Sequence, residues 1–226
     1  MAKIKFGMMM TDASGKLGGQ VFSKNRGGSY VRTKVTPLNP QTTAQSLVRG
    51  IFASISSAWS GLSQAGRDSF NNFVNDYART DVFGDLRNPS GKALFQRLNQ
   101  NLEISGQPQI IVCGAPQAVP FANVQSADAD VSATTFDVET LGDTRDCKVV
   151  VWATPVLTAG TTFVKNRLRQ LEVFDGIDGG AFDISTAYTS AYGFPTAGAN
   201  IFIGVRVINA NGQASPLEVV KAVVVA

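Results

Sequence analysis

Residues 38–62, LNPQTTAQSLVRGIFASISSAWSGL, mark the point at which the sequence changes from an extended to a helical pattern. Apolar side chains then recur at spacings of three and four: Ala44, Leu47, Val48, Ile51, Phe52, Ile55, Ala58, Trp59 and Leu62. This spacing predicts an amphipathic helix of about five turns. Asn39 is predicted to be its N-cap and Pro40 its first helical residue. Because Gly50 costs about 1 kcal/mol relative to Ala inside a helix, close backbone packing is expected there.

Two further helices are predicted downstream, each beginning after a serine cap. Ser63 would cap the first, whose apolar face comprises Phe70, Phe73, Val74 and Tyr77. Ser90 would cap the second, which ends near Gly106 and turns Leu94, Phe95, Leu98 and Leu102 inward. The aromatic residues on the three helical faces are interpreted as core: Phe52, Trp59, Phe70, Phe73 and Phe95. Residues 39–108 are therefore predicted to form a small three-helix unit.

Upstream of the helices, residues 1–38 are predicted to form an extended basic arm. Residues 17–23 and 29–35 are β-prone runs, and KNRGG between them is a turn signal. Two outcomes remain open: a β-hairpin, or an arm that pairs with a neighbouring chain's sheet edge. Since two strands alone are marginal in water, even a hairpin needs support from another surface.

Downstream of the helices, residues 109–226 change to a period of two. Seven strands are predicted, at residues 121–127, 136–141, 147–154, 168–174, 182–188, 200–208 and 217–225. Their number and spacing favour an antiparallel sandwich of the immunoglobulin or fibronectin type III kind, with Trp152 as its core aromatic. Another small β-barrel is the alternative. The predicted fold class is thus α+β and multi-domain.

The charge is distributed unevenly over the 226 residues. Residues 1–50 carry eight Lys or Arg and one acid, residues 51–110 carry five of each sign, and residues 111–226 carry seven basic and eleven acidic residues. Charged residues make up 16% of the chain, against about 25% in a typical protein. A basic beginning, an acidic end and few charges predict burial against charge-complementary partners or further copies of the chain.

Few residues are suited to catalysis. The sequence has no His, which removes the usual general base and the commonest metal ligand. GKLGG lacks the P-loop spacing, and DGIDGG (residues 175–180) lacks the register of a calcium loop. Cys113 and Cys147 are expected to be buried free thiols, with a disulfide as the alternative. No enzyme activity, catalytic residue, cofactor or metal is predicted, and no window approaches the roughly 20 apolar residues of a membrane span; folding in the cytosol is expected.

The arm supplies the candidate interface. Ten residues are assigned to it: Lys16, Val21, Phe22, Lys24, Arg26, Tyr30, Val31, Arg32, Lys34 and Val35. Cations interleaved with aromatic residues can hold single-stranded nucleic acid, and they can also grip an acidic protein surface. Protein docking is favoured, nucleic-acid binding is the second interpretation, and a merely solvated hairpin is the third.

Several blocks in the first half of the chain carry a resemblance. They are GKLGGQVFSKNRGGSYVRTKVTPLNPQTTAQ (15–45), a helix containing Trp59 and Leu62, RDSFNNF (67–73) and TDVFGDLRNPSGKALFQRLNQNL (80–102). In order and spacing they resemble a family of tailed-bacteriophage virion-associated structural proteins. The resemblance covers residues 1–110 and implies a basic Gly-rich arm, a helical segment, an immunoglobulin-like C-terminal domain and no catalytic residues.

The residues and the resemblance together predict a virion structural protein, most simply an auxiliary capsid protein that cements or decorates the shell. A neck or tail connector is the alternative within that class, and a nucleic-acid-binding protein or a host-glycan-binding module lies outside it. The expected partners are the major capsid protein or portal and neck proteins, together with further copies of the chain. The expected location is the virion, assembled in the host cytoplasm without a membrane.

Overall fold

The computed structural model describes residues 2–8, 10, 12–36 and 38–225, so Met1, Met9, Thr11 and Pro37 of the predicted arm and the terminal Ala226 lie outside the described residues. The chain is a mixture of helices and strands, as predicted. The helices are α1 (Thr43–Gly61), α2 (Gln64–Asn72), α3 (Gly91–Ile104) and α4 (Ser185–Tyr192). The strands are β1 (Ala2–Lys3), β2 (Gly15–Leu17), β3 (Gln20–Asn25), β4 (Gly28–Thr33), β5 (Arg79–Thr80), β6 (Leu86–Arg87), β7 (Val124–Asp130), β8 (Thr135–Asp143), β9 (Cys147–Ala153), β10 (Arg169–Asp175), β11 (Asp178–Asp183), β12 (Ile201–Asn209) and β13 (Glu218–Val225).

Side-chain caps fix where the first three helices begin. Ser63 and Ser90 cap α2 and α3 as predicted, each accepting a backbone hydrogen bond of 3.2 Å. The prediction for α1 is wrong by three residues, because Thr42 provides the cap and accepts a hydrogen bond from the Gln45 amide at 3.3 Å. Asn39 instead accepts a hydrogen bond from the Arg49 guanidinium.

A buried cluster joins α1, α2 and α3. It contains Ile55, Phe70, Tyr77, Leu94, Phe95, Leu98 and Cys113, with Trp59 and Phe73 packed against it. The Phe70 and Phe95 rings meet edge to face with centroids 5.1 Å apart, and Trp59 lies 5.4 Å from Phe95. The predicted inward face of α3 is confirmed, since Leu94, Phe95, Leu98 and Leu102 are all buried. The predicted face of α2 is confirmed only for Phe70, because the helix ends at Asn72 and Phe73, Val74 and Tyr77 follow it.

The N-terminal half of α1 does not join that cluster. Phe52, predicted to be core, is 49% exposed. Gly50, where close packing was expected, has no atom within 4 Å of the position a Cβ would occupy. Both predictions are wrong for the same reason: no element described in this chain lies against the first two turns of the helix.

The arm folds as a small four-stranded sheet with the order β1-β4-β3-β2, all antiparallel. The hairpin outcome holds for β3 and β4, which turn at Arg26 and Gly27 and pair from Gln20↔Thr33 to Asn25↔Gly28. None of the described residues in this N-terminal sheet is buried, and the first buried residue along the described chain is Ile55. The sheet therefore lacks a core of its own.

The C-terminal half forms one large curled sheet with the order β10-β9-β12-β13-β7-β8-β11. Strand β13 joins its two halves: Glu218–Ala222 pair with β12, and Val223–Val225 pair with β7. The β13–β7 pair is parallel, a departure from the predicted all-antiparallel sheet. Because residues such as Val138 from β8 and Val205 from β12 share one buried cluster, the sheet curls around its own core.

Two predictions within this half are wrong. Residues 182–188 were predicted to be a strand, but β11 ends at Asp183 and α4 follows, turning Ile184 and Tyr188 into the core one helical turn apart. Trp152 was predicted to be the core aromatic, but it lies on the opposite face of β9 from Val151 and is only half-buried. Phe136 and Tyr188, with ring centroids 5.0 Å apart, supply the buried aromatic pair instead.

Helix α3 packs on the large sheet through its backbone. Asn101 donates a hydrogen bond to the Gly212 carbonyl at 2.7 Å, and Gln170 donates one to the Ile104 carbonyl at 3.0 Å. A Cβ added at Gly212 would collide with the Leu98 carbonyl. Only glycine allows this approach, so Gly212 fixes how closely the helix lies against the loop after β12.

Gly212→Ala tests this contact, and Gly198→Ala is its matched control. The two glycines have φ of +74° and +76°, but the space beside Gly198 is open. Both substitutions incur the strain of a left-handed conformation. We expect Gly212→Ala to lower the free energy of unfolding by about 1–3 kcal/mol more than the control, because it also overpacks against backbone. Equal losses in urea unfolding would contradict the contact.

Candidate protein-docking surface

The ten residues predicted to form an interface are distributed along the N-terminal sheet. Lys16 lies in β2, Val21, Phe22 and Lys24 lie in β3, Arg26 lies in the turn, Tyr30, Val31 and Arg32 lie in β4, and Lys34 and Val35 follow it. Because side chains alternate along a strand, the sheet divides this set between its two faces.

One face gathers the unpaired cations. Lys16, Val21 and Arg32 stand directly opposite one another across β2, β3 and β4. With Lys34, Val35 and Thr36 they line a shallow depression of about 300 Å³. Lys16, Arg32 and Lys34 make no ion pair with any acid in the described part of the chain. We call this surface, Lys16, Val21, Arg32 and Lys34, the cationic face.

The opposite face is more apolar. Phe22 and Val31 pair directly across β3 and β4. Lys24 points to this side and forms an ion pair with Asp12 at 3.3 Å. Tyr30 belongs to the side of Arg32, since the two are separated by one residue in β4. Phe22 and Tyr30 therefore lie on opposite faces and do not form one stacking platform beside the cations.

Both edges of the N-terminal sheet are short. Strand β2 has three residues and pairs only with β3, and strand β1 has two and pairs only with β4. Within the described residues, the outer backbone groups of Gly15–Leu17 face no further strand. An edge of this kind can accept an added strand from another protein.

An ion-pair cluster ties the N-terminal sheet to the small hairpin of β5 and β6. The Lys3 ammonium lies 3.0 Å from the Asp81 carboxylate, and Lys5 lies 2.9 Å from Asp85. Arg87 contacts both carboxylates. The signal available in the sequence was a pair of lysines at residues 3 and 5 and two acids in a turn.

Asp81 is the centre of this cluster, and its side chain is 4% exposed. The Lys3 hydrogen bond, followed by those from the Phe83 amide, Arg87 and the Asp85 amide, holds the pKa of Asp81 well below its ordinary value of 3.8. Because this pKa is lower in the folded chain, the stabilisation is complete above the ordinary value and is lost as the pH falls through the lowered one.

We therefore expect the amide NMR signal of Phe83, which donates a hydrogen bond to Asp81, to hold its position down to pH 3.8 and to shift only below it. Asp81→Asn should abolish this acid transition and release the Lys3 contact at neutral pH. Asp76→Asn, an exposed aspartate in the loop after α2, is the control and should leave the titration unchanged. A wild-type midpoint at or above 3.8 would contradict the cluster.

A second exposed surface lies on α1, the element that follows the arm in the sequence. Val48 and Phe52 precede Ile55 and Trp59 at helical spacing, so a stripe that is buried in the second half of the helix is uncovered in the first. Leu47 beside them is 65% exposed. We call Leu47, Val48 and Phe52 the uncovered face of α1. Sequence periodicity indicated an apolar face here, but it did not show that no described element of the chain covers that face.

The large sheet carries a row of acids. Asp137 in β8 stands opposite Asp128 in β7 and Asp183 in β11. Burial, followed by the charges of Asp183 and Asp128, raises the pKa of Asp137. Like charges aligned across strands destabilise a sheet, so the row costs stability in the isolated chain.

The remaining features concern metal binding, membrane spans and the two cysteines. In residues 2–8, 10, 12–36 and 38–225, no three His, Cys, Asp or Glu side chains are grouped so that they could hold a metal ion. Within those same ranges, no helix has the length and apolar character needed to cross a membrane. Both cysteines are free thiols as expected, although Cys147 is only half-buried. Comparisons with models of protein families, with curated proteins and with solved structures found no match.

Proposed function

We propose that this protein is a structural component of a bacteriophage virion, an auxiliary capsid protein that docks on neighbouring subunits through its N-terminal sheet. A neck or tail connector uses the same docking chemistry and is the alternative position in the particle. The observation that carries the proposal is the N-terminal sheet itself, which has no buried residue among those described, two open edges and three cations without acidic partners.

The physical basis is the free-energy cost of ordering this sheet in a chain that gives it no core. Ordering a residue costs about 1–2 kcal/mol, and a sheet without a core recovers little of that from its own chain. Docking supplies strand pairing at the β2 edge and opposite charges for Lys16, Arg32 and Lys34. Repetition of one such contact over a particle multiplies weak binding into firm attachment.

The uncovered face of α1 supports the same proposal. Leu47, Val48 and Phe52 are large apolar side chains exposed on one stretch of helix, and exposed apolar patches mark interaction sites. Gly50 beside them would allow a partner's backbone to approach closely. The partner would therefore contact both the N-terminal sheet and the first turns of α1.

We also propose that helices α1–α3 form a unit anchoring the arm, and that the large sheet is a sandwich of the fibronectin type III kind. Its strand order supports this assignment, since β7, β8 and β11 form one three-stranded half and β10, β9, β12 and β13 form the other. In a particle, such a sandwich would face outward or contact the next copy.

Charge layout supports contacts between copies of the chain as well. Lys16 and Arg32 are two strands apart on the cationic face, and Asp128 and Asp183 are two strands apart on the acidic row. Neighbouring strands are about 4.8 Å apart in any sheet, so the two patterns have matching spacing.

Two functions outside this class are less well supported. Single-stranded nucleic acid stacks on successive aromatic rings beside the cations, and of Phe22 and Tyr30 only Tyr30 lies on the side of Arg32. A glycan-binding module needs an exposed aromatic platform, and Tyr188 is buried while Trp152 lies beneath Arg206. Nucleic-acid binding would also weaken steeply with salt, whereas docking by strand pairing would not.

The test of this proposal is the composition of particles purified from cells that produce the protein. Quantitative mass spectrometry should find the chain in the particle at a fixed ratio to the major shell protein. A ratio corresponding to hundreds of copies assigns it to the shell, and roughly a dozen assigns it to the neck or tail. Absence of the chain from purified particles would overturn the proposal.

A further inference from the structure

A second feature of the molecule is a cleft of about 740 Å³ between α3 and the large sheet, and no residue of the cationic face lines it. Arg97 of α3, Arg206 of β12 and Arg79 of β5 line it together with Tyr77, Gln117 and Gln213. No Asp or Glu is present among the described residues that line it. The cleft falls in the size range of small-molecule sites, about 300–1,000 Å³.

The three arginines lack the partners that arginines normally have. None of their guanidinium groups donates a hydrogen bond or forms an ion pair within the described part of the chain. Arg206 Nε is buried with no hydrogen-bond partner. A guanidinium carries five donors, and burying one unpaired is costly, so the buried Arg206 Nε favours an acceptor from outside the chain, while the half-buried Arg97 and the exposed Arg79 present further donors to the cleft.

Two of the arginines are held in place by aromatic rings. The Arg97 guanidinium lies 5.4 Å from the centre of the Tyr77 ring, and Arg206 lies 5.8 Å from that of Trp152. Tyr77 is itself fixed, because its hydroxyl accepts a hydrogen bond from Gln213 at 3.1 Å and donates one to the Gly114 carbonyl. Stacked guanidinium groups lose little further freedom on binding, which favours tight recognition.

The positive charge of the cleft also favours a multiply charged anion. Burial lowers the pKa of Arg206, and burial followed by the charge of Arg79 lowers the pKa of Arg97. Both effects act against the positive charge, and a bound anion would reverse them. A single carboxylate offers one negative charge, whereas a phosphate group offers nearly two and three strong acceptor oxygens.

We propose that the cleft between α3 and the large sheet binds a phosphate-bearing small molecule, held by the guanidinium groups of Arg97 and Arg206 with Arg79 at its rim. The inference is independent of the proposed docking function, because the two sites share no residue. Ligand binding here would also brace α3 against the loop after β12, since both elements contribute to the walls.

Pyrophosphate titrated into the full-length protein, followed by calorimetry at about 150 mM salt, tests the site under normal screening. Wild-type protein should show saturable binding, and tricarballylate, a carboxylate of similar charge, should bind at least tenfold more weakly. Arg97→Gln and Arg206→Gln should each weaken the affinity roughly ten- to a hundredfold. Arg167→Gln removes the same charge from an exposed position outside the cleft and should leave the affinity unchanged.

Three results would overturn the proposal: no saturable binding to wild type, equal binding of tricarballylate, or equal weakening by Arg167→Gln and Arg97→Gln. Arg206→Lys covers the possibility that Arg206→Gln fails to fold, because it retains the charge over Trp152 but loses the planar fork. Circular dichroism checks each variant. Arg206→Lys should weaken pyrophosphate binding, and wild-type affinity in that variant would remove Arg206 from the site.

Discussion

Deletion of residues 1–36 is expected to leave a folded protein that no longer joins particles. The remaining chain keeps both buried clusters, since none of the described residues removed is buried. The unfolding midpoint should fall only by the loss of the Lys3–Asp81 and Lys5–Asp85 contacts, because Arg87 still pairs with Asp81 in the truncated chain. Incorporation should fall at least tenfold, because the strand edge and the cationic face are lost together and repeated contacts fail together. Mass spectrometry of particles formed with the truncated chain measures the copy number.

A charge variant separates the contribution of the cationic face to docking from that of the strand edge. Lys16→Gln, Arg32→Gln and Lys34→Gln combined remove the free charges of the cationic face but retain the strands. This triple variant should slow attachment and make it less sensitive to salt while permitting some incorporation, because backbone pairing at β2 remains. Native copy number for the truncated chain would show that the N-terminal sheet is not the docking element.

Phe70→Ala is expected to cause the largest loss of stability among single substitutions in the helical cluster. The Phe70 ring is fully buried and contacts Phe95 edge to face at 5.1 Å and Trp59 at 6.0 Å. Removing it leaves a cavity among rigid aromatic neighbours and should lower the free energy of unfolding by about 3–5 kcal/mol. Urea unfolding followed by far-UV circular dichroism measures the change.

Phe52→Ala is the matched control, since it makes the same chemical change on a neighbouring helix. Its ring is 49% exposed, so the loss should stay within about 0.5 kcal/mol. The same variant should nevertheless reduce incorporation into particles, because it truncates the uncovered face of α1. A loss of stability as large as that of Phe70→Ala would show that Phe52 is buried in the folded chain.

Periodicity predicted the elements that bury one face within the chain. The spacing of Leu94, Phe95, Leu98 and Leu102 located α3, and alternation located most strands of the large sheet, because local spacing and burial agree there. Ile184, Tyr188 and Tyr192 have a spacing of four that indicated α4, but the surrounding β-prone residues favoured a strand. Trp152 was misplaced because alternation fixes two faces without saying which one is the core.

The sites were harder to predict, because they depend on contacts between distant residues. Composition indicated a basic arm, but only the register of β2, β3 and β4 shows that Lys16 and Arg32 share a face. The uncovered face of α1 has the same spacing of apolar residues as a buried face, so the spacing alone did not show that it would be exposed. The cleft joins Arg79, Arg97 and Arg206, which no motif connects.

Hydrogen–deuterium exchange of the amides of residues 15–36 is a direct test of docking through the N-terminal sheet. It should be measured for the same full-length chain free in solution and within purified particles. We expect the outward-facing backbone amides of β2 to exchange rapidly in the free chain. In the particle, where a partner strand would pair with β2, the same amides should be strongly protected. Equal exchange of these amides in both states would contradict docking through the N-terminal sheet.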